Sequence, residues 1–365
     1  MGVLPDIAGS LRTSIPVAGH LVSLYALGVV VGAPLFAVVG ARLPRKTLLL
    51  LLMSGVAVGN LGSALAPTFG TLELARFVSG LPHGAYFGIG SLVAASLVPA
   101  GQRGRGVAMM MLGLTVANLI GVPVSTRLGQ IFGWQAAYVL VAATAAVTVA
   151  AILRWVPAPR IAAPSVNGAV VRRELGAFSR LPVWLALLTG AVGFGGFFAV
   201  YSYIAPTMTT VAGFGRSDIW IVLVLFGLGM TIGNLLGGRL VDRSVTLAIY
   251  AALGSMTVVL VAFALTAHHT LLAAFLIFLL GAGGMSAVPA LQTRLMDVAA
   301  DAQSLAAALN HSALNIANAL GAWLGGLVIA AGYGYVSTAW VGVLLAVAGL
   351  AVATVSVLVD RRRRT

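Results

Sequence analysis

The chain has 365 residues, of which 60% are hydrophobic and 8% charged. That composition excludes a soluble globular domain, in which roughly 25% of residues carry charge. Cysteine is absent, which excludes disulfides and thiolate metal sites. The formal net charge of +13 lies in short loops between apolar stretches and in the terminal run Arg361–Arg364. It therefore reads as a membrane-orientation signal and not as a nucleic-acid surface.

Taken in order, residues 1–8 read as the outer end of a helix, with no basic leader or small-residue cleavage site around Met1-Gly-Val-Leu-Pro. Apolar windows long enough to cross about 30 Å of hydrocarbon follow at 15–39, 47–67, 71–98, 105–127 and 134–155. A basic, proline-containing interval then precedes further windows at 183–208, 217–238, 246–267, 270–295, 303–330 and 334–358. Long apolar blocks, in place of alternation, argue against a membrane β-barrel. The expected organisation is an all-α integral membrane protein: an N-terminal helical half at 1–155, a linker at 156–182 and a C-terminal half at 183–365 ending in the basic tail.

Arg42, Arg45, Lys46, Arg103, Arg105, Arg154, Arg160, Arg172, Arg173, Arg180, Arg239, Arg243, Arg294 and the terminal run fall on one face. The positive-inside rule makes that face, with the linker and the C-terminus, cytoplasmic in a multi-pass protein of the cell (inner) membrane. Asp6, Arg12, Arg216, Asp218, His268 and His269 fall on the other.

The chain also repeats itself. Asn118-Leu-Ile-Gly121 recurs as Asn318-Ala-Leu-Gly321, and Pro5, Gly40 and Gly80 have counterparts at Pro206, Gly238 and Gly281, at offsets of 200, 201, 198 and 201 residues. Two similar halves with basic loops on one face imply parallel repeats about an axis along the membrane normal. At this offset the partner of the window beginning near Val183 would start upstream of Met1. The expectation is thus a twelve-helix plan with its first helix largely missing and about eleven full helices present.

Within the spans, glycines four apart (Gly28 and Gly32, Gly80 and Gly84, Gly229 and Gly233, Gly321 and Gly325) suit close helix packing in lipid or helix movement. Arg76 is the leading functional candidate, because an intramembrane charge is costly unless it lines water or has a partner. Glu73, one turn before it, could pair with it. His83 lies on the same helix face and titrates near neutral pH. His20 and His311 are similar candidates, and each of these histidines could instead serve as a packed polar contact. Asn310, His311, Asn315 and Asn318 form a polar stripe, Asn118 is the repeat partner of Asn318, and Asn234 lies in the window 217–238. Such amides either glue helices or line a cavity. Tyr201 and Tyr203, with Phe194, Phe197 and Phe198, could line an apolar pocket or face lipid. Phosphate-cradling, zinc-protease and carboxylate-pair motifs are absent, so the sequence encodes no ATP-driven motor.

Two six-helix halves and a basic linker resemble the major facilitator superfamily. Gly238-Arg-Leu-Val-Asp242-Arg243 resembles that superfamily's loop signature. The first-half copy, Gly40-Ala-Arg-Leu-Pro44-Arg45-Lys46, has proline where aspartate is usual. Arg76-Phe-Val-Ser-Gly80 is similar to the fourth-helix motif of drug:proton antiporters. The stretch Gly113 to Gly129, with Gly121-Val122-Pro123, resembles the fifth-helix antiporter motif, with Val122 inserted and Arg127 at a position normally small. The runs Ser14 to His20, Tyr25 to Gly32 and Arg76 to Gly84 are similar to the arabinose-efflux-permease branch.

The resemblance implies a secondary transporter exporting a drug-like or sugar-like molecule in exchange for protons by alternating access, with no cofactor. Arg76 would couple proton to substrate, and the glycines, Arg45, Pro123, Asp242 and Arg243 would act in gating. The expected partners are the small-molecule substrate, protons and the lipid bilayer, with no nucleic acid, and the expected state is a monomer. A non-transporting sensor or scaffold, an inactive truncated transporter and, less in keeping with only eight acidic residues, an intramembrane enzyme are the other readings.

Overall fold

The computed structural model describes residues 2–39, 43–99, 109–110, 113–114, 116–157, 179–299 and 303–364. Among these the chain is helical, with no strand. The first half runs α1 (Leu4–Ser10), α2 (Ile15–Val39), α3 (Arg45–Ala64), α4 (Phe69–Ser96), a π-helical turn (Ala117–Gly121), α5 (Val122–Phe132) and α6 (Gln135–Trp155). The second half runs α7 (Leu181–Leu188), a π-helical turn (Thr189–Gly193), α8 (Gly195–Tyr201), α9 (Ile204–Thr210), α10 (Ile219–Arg243), α11 (Val245–Thr266), α12 (Thr270–Ala299), α13 (Gln303–Ala330) and α14 (Ser337–Arg364).

Nine helical segments among the described residues are long and apolar enough to cross a membrane. They coincide with nine of the eleven apolar windows of the sequence. The two others differ for identifiable reasons. The window 71–98 became α4, a helix of 28 residues that carries Glu73, Arg76 and His83 and so is less apolar. The window 105–127 lies partly outside the described residues and is seen as the π turn leading into α5. Large side chains such as Leu271, Leu344 and Val58 point outward at 86%, 71% and 70% exposure, as a lipid-facing shell requires.

The duplication is visible in the packing. In the first half α2 packs on α4, and α3 packs on α4 and α6. In the second half α10 packs on α12, and α11 packs on α12 and α14. The contact chemistry is the same in both copies. Gly28 and Gly32 of α2 lie against the carbonyls of Phe77 and Leu81, while Gly229 and Gly233 of α10 lie against those of Phe278 and Ala282, each 201 residues later. Gly80 returns the contact onto the Tyr25 carbonyl, and Gly281 does so onto the Phe226 carbonyl. A side chain at any of these positions would collide with backbone, so glycine is required by the close approach. The short helix α1 has α9 as its counterpart, with Pro5 and Pro206 near their starts.

The largest buried cluster belongs to the second half, around Phe197, Phe226, Phe263, Met208 and Leu253. The halves meet chiefly where α2 packs along α13. Among the described residues, their polar contacts lie toward the end remote from the basic loops. Ser23 Oγ donates to the Ala319 carbonyl at 3.1 Å. Within the second half the Tyr203 hydroxyl donates to the Ala322 carbonyl at 2.7 Å, and it packs against Gly19 of the first half beside Gly326. Arg216 forms an ion pair with Asp6, and Gln130 Nε2 donates to the Arg216 carbonyl at 2.8 Å. At the basic end, Lys46 Nζ donates to the carbonyls of Leu153 and Val156 at 3.0 and 2.6 Å. It thereby caps the C-terminus of α6, where a cation also meets the negative end of the helix dipole. Arg294 of α12 binds Asp360 and Ser356 of α14 on the same face, at 2.5 and 2.8 Å.

Candidate functional site

The site is built on α4. Its start is fixed by a reciprocal cap in which Thr68 and Thr71 each accept the other's backbone N–H, at 3.3 and 3.1 Å. Arg76 is the eighth residue, roughly 10 Å along the axis at 1.5 Å per residue. Its guanidinium turns inward and gathers one side chain from each neighbouring helix. The Cζ atom lies 4.2 Å from the centre of the Tyr25 ring of α2 and 5.1 Å from that of Tyr138 of α6. Nη1 donates to Asn60 Oδ1 of α3 and to Ser79 Oγ of α4, both at 3.3 Å. Asn60 Nδ2 is itself held by the Val56 carbonyl at 2.8 Å, which aims Oδ1 at the arginine. Two ring faces within about 6 Å and an amide acceptor offset part of the cost of a cation in a low-dielectric interior.

The site continues about two turns further along α4. The Tyr25 hydroxyl shares a 2.8 Å hydrogen bond with His83 Nδ1. The His83 ring lies 5.0 Å from Phe87, and Phe87 lies 5.5 Å from His311 of α13. Arg76, Tyr25, His83, Phe87 and His311 therefore form one connected row that starts in the first half and ends in the second. The last three are partly exposed at the middle of the bundle.

The second half has no such row. One repeat later, at +201, Tyr25, Asn60, Arg76, Ser79 and Tyr138 become Phe226, Val261, Ile277, Leu280 and Ala339. The backbone framework was kept while the charge and its partners occur in one copy alone.

Other residues singled out from the sequence fall elsewhere. Glu73 does not pair with Arg76. Its carboxylate lies 3.9 Å from His20 Nδ1 near the start of α4, while Arg76 is drawn into the bundle by rings and an amide. Tyr201, expected to line a pocket, is 9% exposed and stacked on Phe226 at 4.5 Å within the second-half core. Asn315 Nδ2 donates to the His311 carbonyl at 2.9 Å, one turn back on α13. Asn118 Nδ2 donates to the Leu114 carbonyl at 2.9 Å, and its own carbonyl lies against Gly227 of the other half. Asn234 is exposed on α10.

Of the residues assigned to gating, Gly80 packs α4 on α2, Gly121 ends the π turn, and Pro123 is buried in the first turn of α5. Arg45 begins α3 just after Pro44. Gly238 faces open space, and Asp242 and Arg243 are exposed at the end of α10, with no ion pair to Asp242 among the described residues. Gly40 lies outside the described residues, as do Arg42, Arg103, Arg105 and most of the interval 156–182.

Sequence reasoning missed Tyr25, Asn60, Tyr138 and Phe87 as members of the site. A signal for two of them was available: at +201 Asn60 becomes Val261, and Tyr25 loses only its hydroxyl in becoming Phe226.

A duplicated bundle of membrane-length helices, with one polar row passing between its copies, defines a polytopic membrane protein of the transporter class. The family model for the Major Facilitator Superfamily matches residues 1–310. The inner membrane transport protein YdhP of Escherichia coli (strain K12) is 40% identical over 351 residues, 96% of this chain and 89% of that protein. AraJ of the same strain is 37% identical over 353 residues, 96% of this chain and 88% of its own length. A chloramphenicol resistance protein of Streptomyces lividans is 33% identical over 354 residues, 96% and 90% of the two chains. A solved bacterial homologue of the human lysosomal transporter Spinster shares the fold, with a TM-score of 0.72 over 97% of this chain and 92% of that one, at 16% identity. The chain belongs to the major facilitator superfamily: it is a multi-pass membrane transporter for small molecules, not an enzyme.

Proposed function

We propose that the protein is a proton-coupled exporter of a small organic molecule, drug-like or sugar-like, working by alternating access in the inner membrane. The observation that carries this reading is the polar row from Arg76 through Tyr25 and His83 to Phe87 and His311, present in one copy of the duplicated bundle and reaching into the other. A site shared between two bodies that rock against each other is exposed first to one side and then to the other. The substrate cavity on this reading also takes in Asn315, one turn from His311.

The basic face is cytoplasmic, with the C-terminus inside, because Lys46, Arg154, Arg239, Arg243 and Arg294 gather there. The halves are latched at the opposite end by Asp6 with Arg216 and by Ser23 with Ala319. That opposite end is accordingly closed, and on this reading the site opens to the cytoplasmic side. His83 and His311 are the titratable side chains on the row. Arg76 biases their charge through Tyr25. The names of two relatives, a chloramphenicol resistance protein and a sugar efflux transporter of Helicobacter pylori, 29% identical over 346 residues, support export of compounds of this size.

Everted membrane vesicles carrying a pH gradient test the reading. Addition of a substrate should dissipate the gradient, and Arg76→Ala should abolish the response. A full response in the variant would remove Arg76 from the mechanism.

A further inference from the structure

The charge balance around Arg76 is open, and it points to the chemical class of the substrate. The sequence contains eight acidic residues. Asp6 and Asp360 are paired with Arg216 and Arg294, and Glu73 faces His20. Asp218, Asp242 and Asp297 lie at the ends of α10 and α12, and Glu174 and Asp301 lie outside the described residues. No described carboxylate therefore reaches Arg76.

Its hydrogen bonding is open as well. The guanidinium has five N–H donors in a planar fork. One nitrogen, Nη1, serves both protein acceptors at 3.3 Å. Nε and Nη2 have no protein acceptor among the described residues. Two adjacent donors of one fork are the arrangement that receives a carboxylate in bidentate fashion. From the guanidinium the rings of Tyr25, His83, Phe87 and His311 follow one another, successive centroids from His83 onward being 5.0 and 5.5 Å apart. Those rings offer flat surfaces to a flat molecule.

We propose that Arg76 anchors the anionic group of the transported compound, and that this compound is a planar aromatic organic anion. The assignment rests on the transport reading above and narrows it to a substrate class. The guanidinium supplies the counter-charge, Tyr25 and Tyr138 hold it in the plane required, and the aromatic row carries the ring of the substrate toward the second half.

The full chain in lipid nanodiscs can be titrated with three fluorescent probes of one shape: naphthalene-2-carboxylate, its methyl ester and 2-naphthylmethylamine. The wild type should bind the carboxylate at least about ten-fold more tightly than the ester or the amine, as expected for one charge-assisted hydrogen-bonded pair. Arg76→Gln should lose that preference and leave ester binding within about two-fold of wild type. Arg76→Lys, which keeps the charge without the fork, should fall between. A wild type with no preference for the carboxylate would overturn the proposal without any variant having to fold. Equal loss of carboxylate and ester in Arg76→Gln would also overturn it, by reducing Arg76 to a general support.

The same probes in everted vesicles keep the two readings apart. Arg76-dependent carboxylate binding without any proton movement would defeat proton coupling and leave the anion assignment standing. Proton movement driven by the ester or the amine but not by the carboxylate would do the reverse.

Discussion

At the scale of single residues, the protein holds an arginine inside the membrane with no described carboxylate in reach, and the surroundings explain how. Tyr25 and Tyr138 face the cation with their ring faces, and Asn60 and Ser79 accept from one nitrogen. Each ring contact of this kind is worth about 0.5–2 kcal/mol, depending on how far it is desolvated. Tyr25→Phe separates the two duties of that side chain, since the ring stays over Arg76 while the hydrogen bond to His83 is lost. We expect stability within about 1 kcal/mol of wild type and a substrate-driven proton response slowed by about ten-fold, read from vesicle fluorescence. An unchanged rate would show that His83 works without Tyr25. Arg76 and His83 were legible in the sequence because charged and titratable groups in apolar windows are conspicuous. Tyr138, an aromatic in a span, resembles a belt or packing residue until its ring is found beside the guanidinium. Phe87 falls on the helix face of Arg76 and His83, but nothing local marks it as a ring that bridges two helices.

At the scale of helices, the repeat dictates where backbones touch. Gly28 and Gly229 do the same steric work, each against a carbonyl one helix away. Gly28→Val and Gly229→Val should both lower thermal stability in detergent, by about 1–3 kcal/mol each, the usual cost of overpacking. Only the first should also alter carboxylate binding, because α2 carries Tyr25 and α4 carries Arg76. Equal effects on binding from both would mean that the second half shapes the site as much as the first. The helices were largely readable from hydropathy, since each must satisfy its own backbone in lipid. Exceptions occur where function intrudes. The charges on α4 lower its hydropathy, and the π turn Ala117–Gly121 interrupts the window that leads into α5. Extra residues inserted into a helix at this position leave no trace in an apolar count. The pairing expected between Glu73 and Arg76 failed for a related reason. Spacing of three along a helix permits contact, but the direction each side chain takes is set by neighbouring helices that periodicity does not reveal.

At the scale of the whole molecule, the latched end and the basic end make opposite predictions for accessibility. Since the chain has no cysteine, any single introduced thiol reports alone. Asn315→Cys, beside His311, should react with a membrane-impermeant maleimide in everted vesicles and be protected in right-side-out ones. The reverse pattern would place the opening on the other side of the membrane. Asp6→Asn should weaken the latch with Arg216 and increase labelling from the outside, and Arg216→Gln should do the same. A variant carrying both changes should add little, because either alone already breaks the pair. Full additivity in that double variant would show that the two residues act separately.

The contacts that close the end remote from the basic loops also set a resting population. Three of them are polar bonds between or across the halves: Asp6 with Arg216, Gln130 with the Arg216 carbonyl, and Ser23 with the Ala319 carbonyl. If each contributes about 1 kcal/mol net, together they favour the latched state by about 3 kcal/mol, a ratio of roughly 150 to 1. A molecule approaching from the outside meets its site in under about one protein in a hundred, and its apparent affinity from that side falls by the same factor. A preference for outward movement can thus arise from a population bias, even when the site holds its ligand equally well in both states.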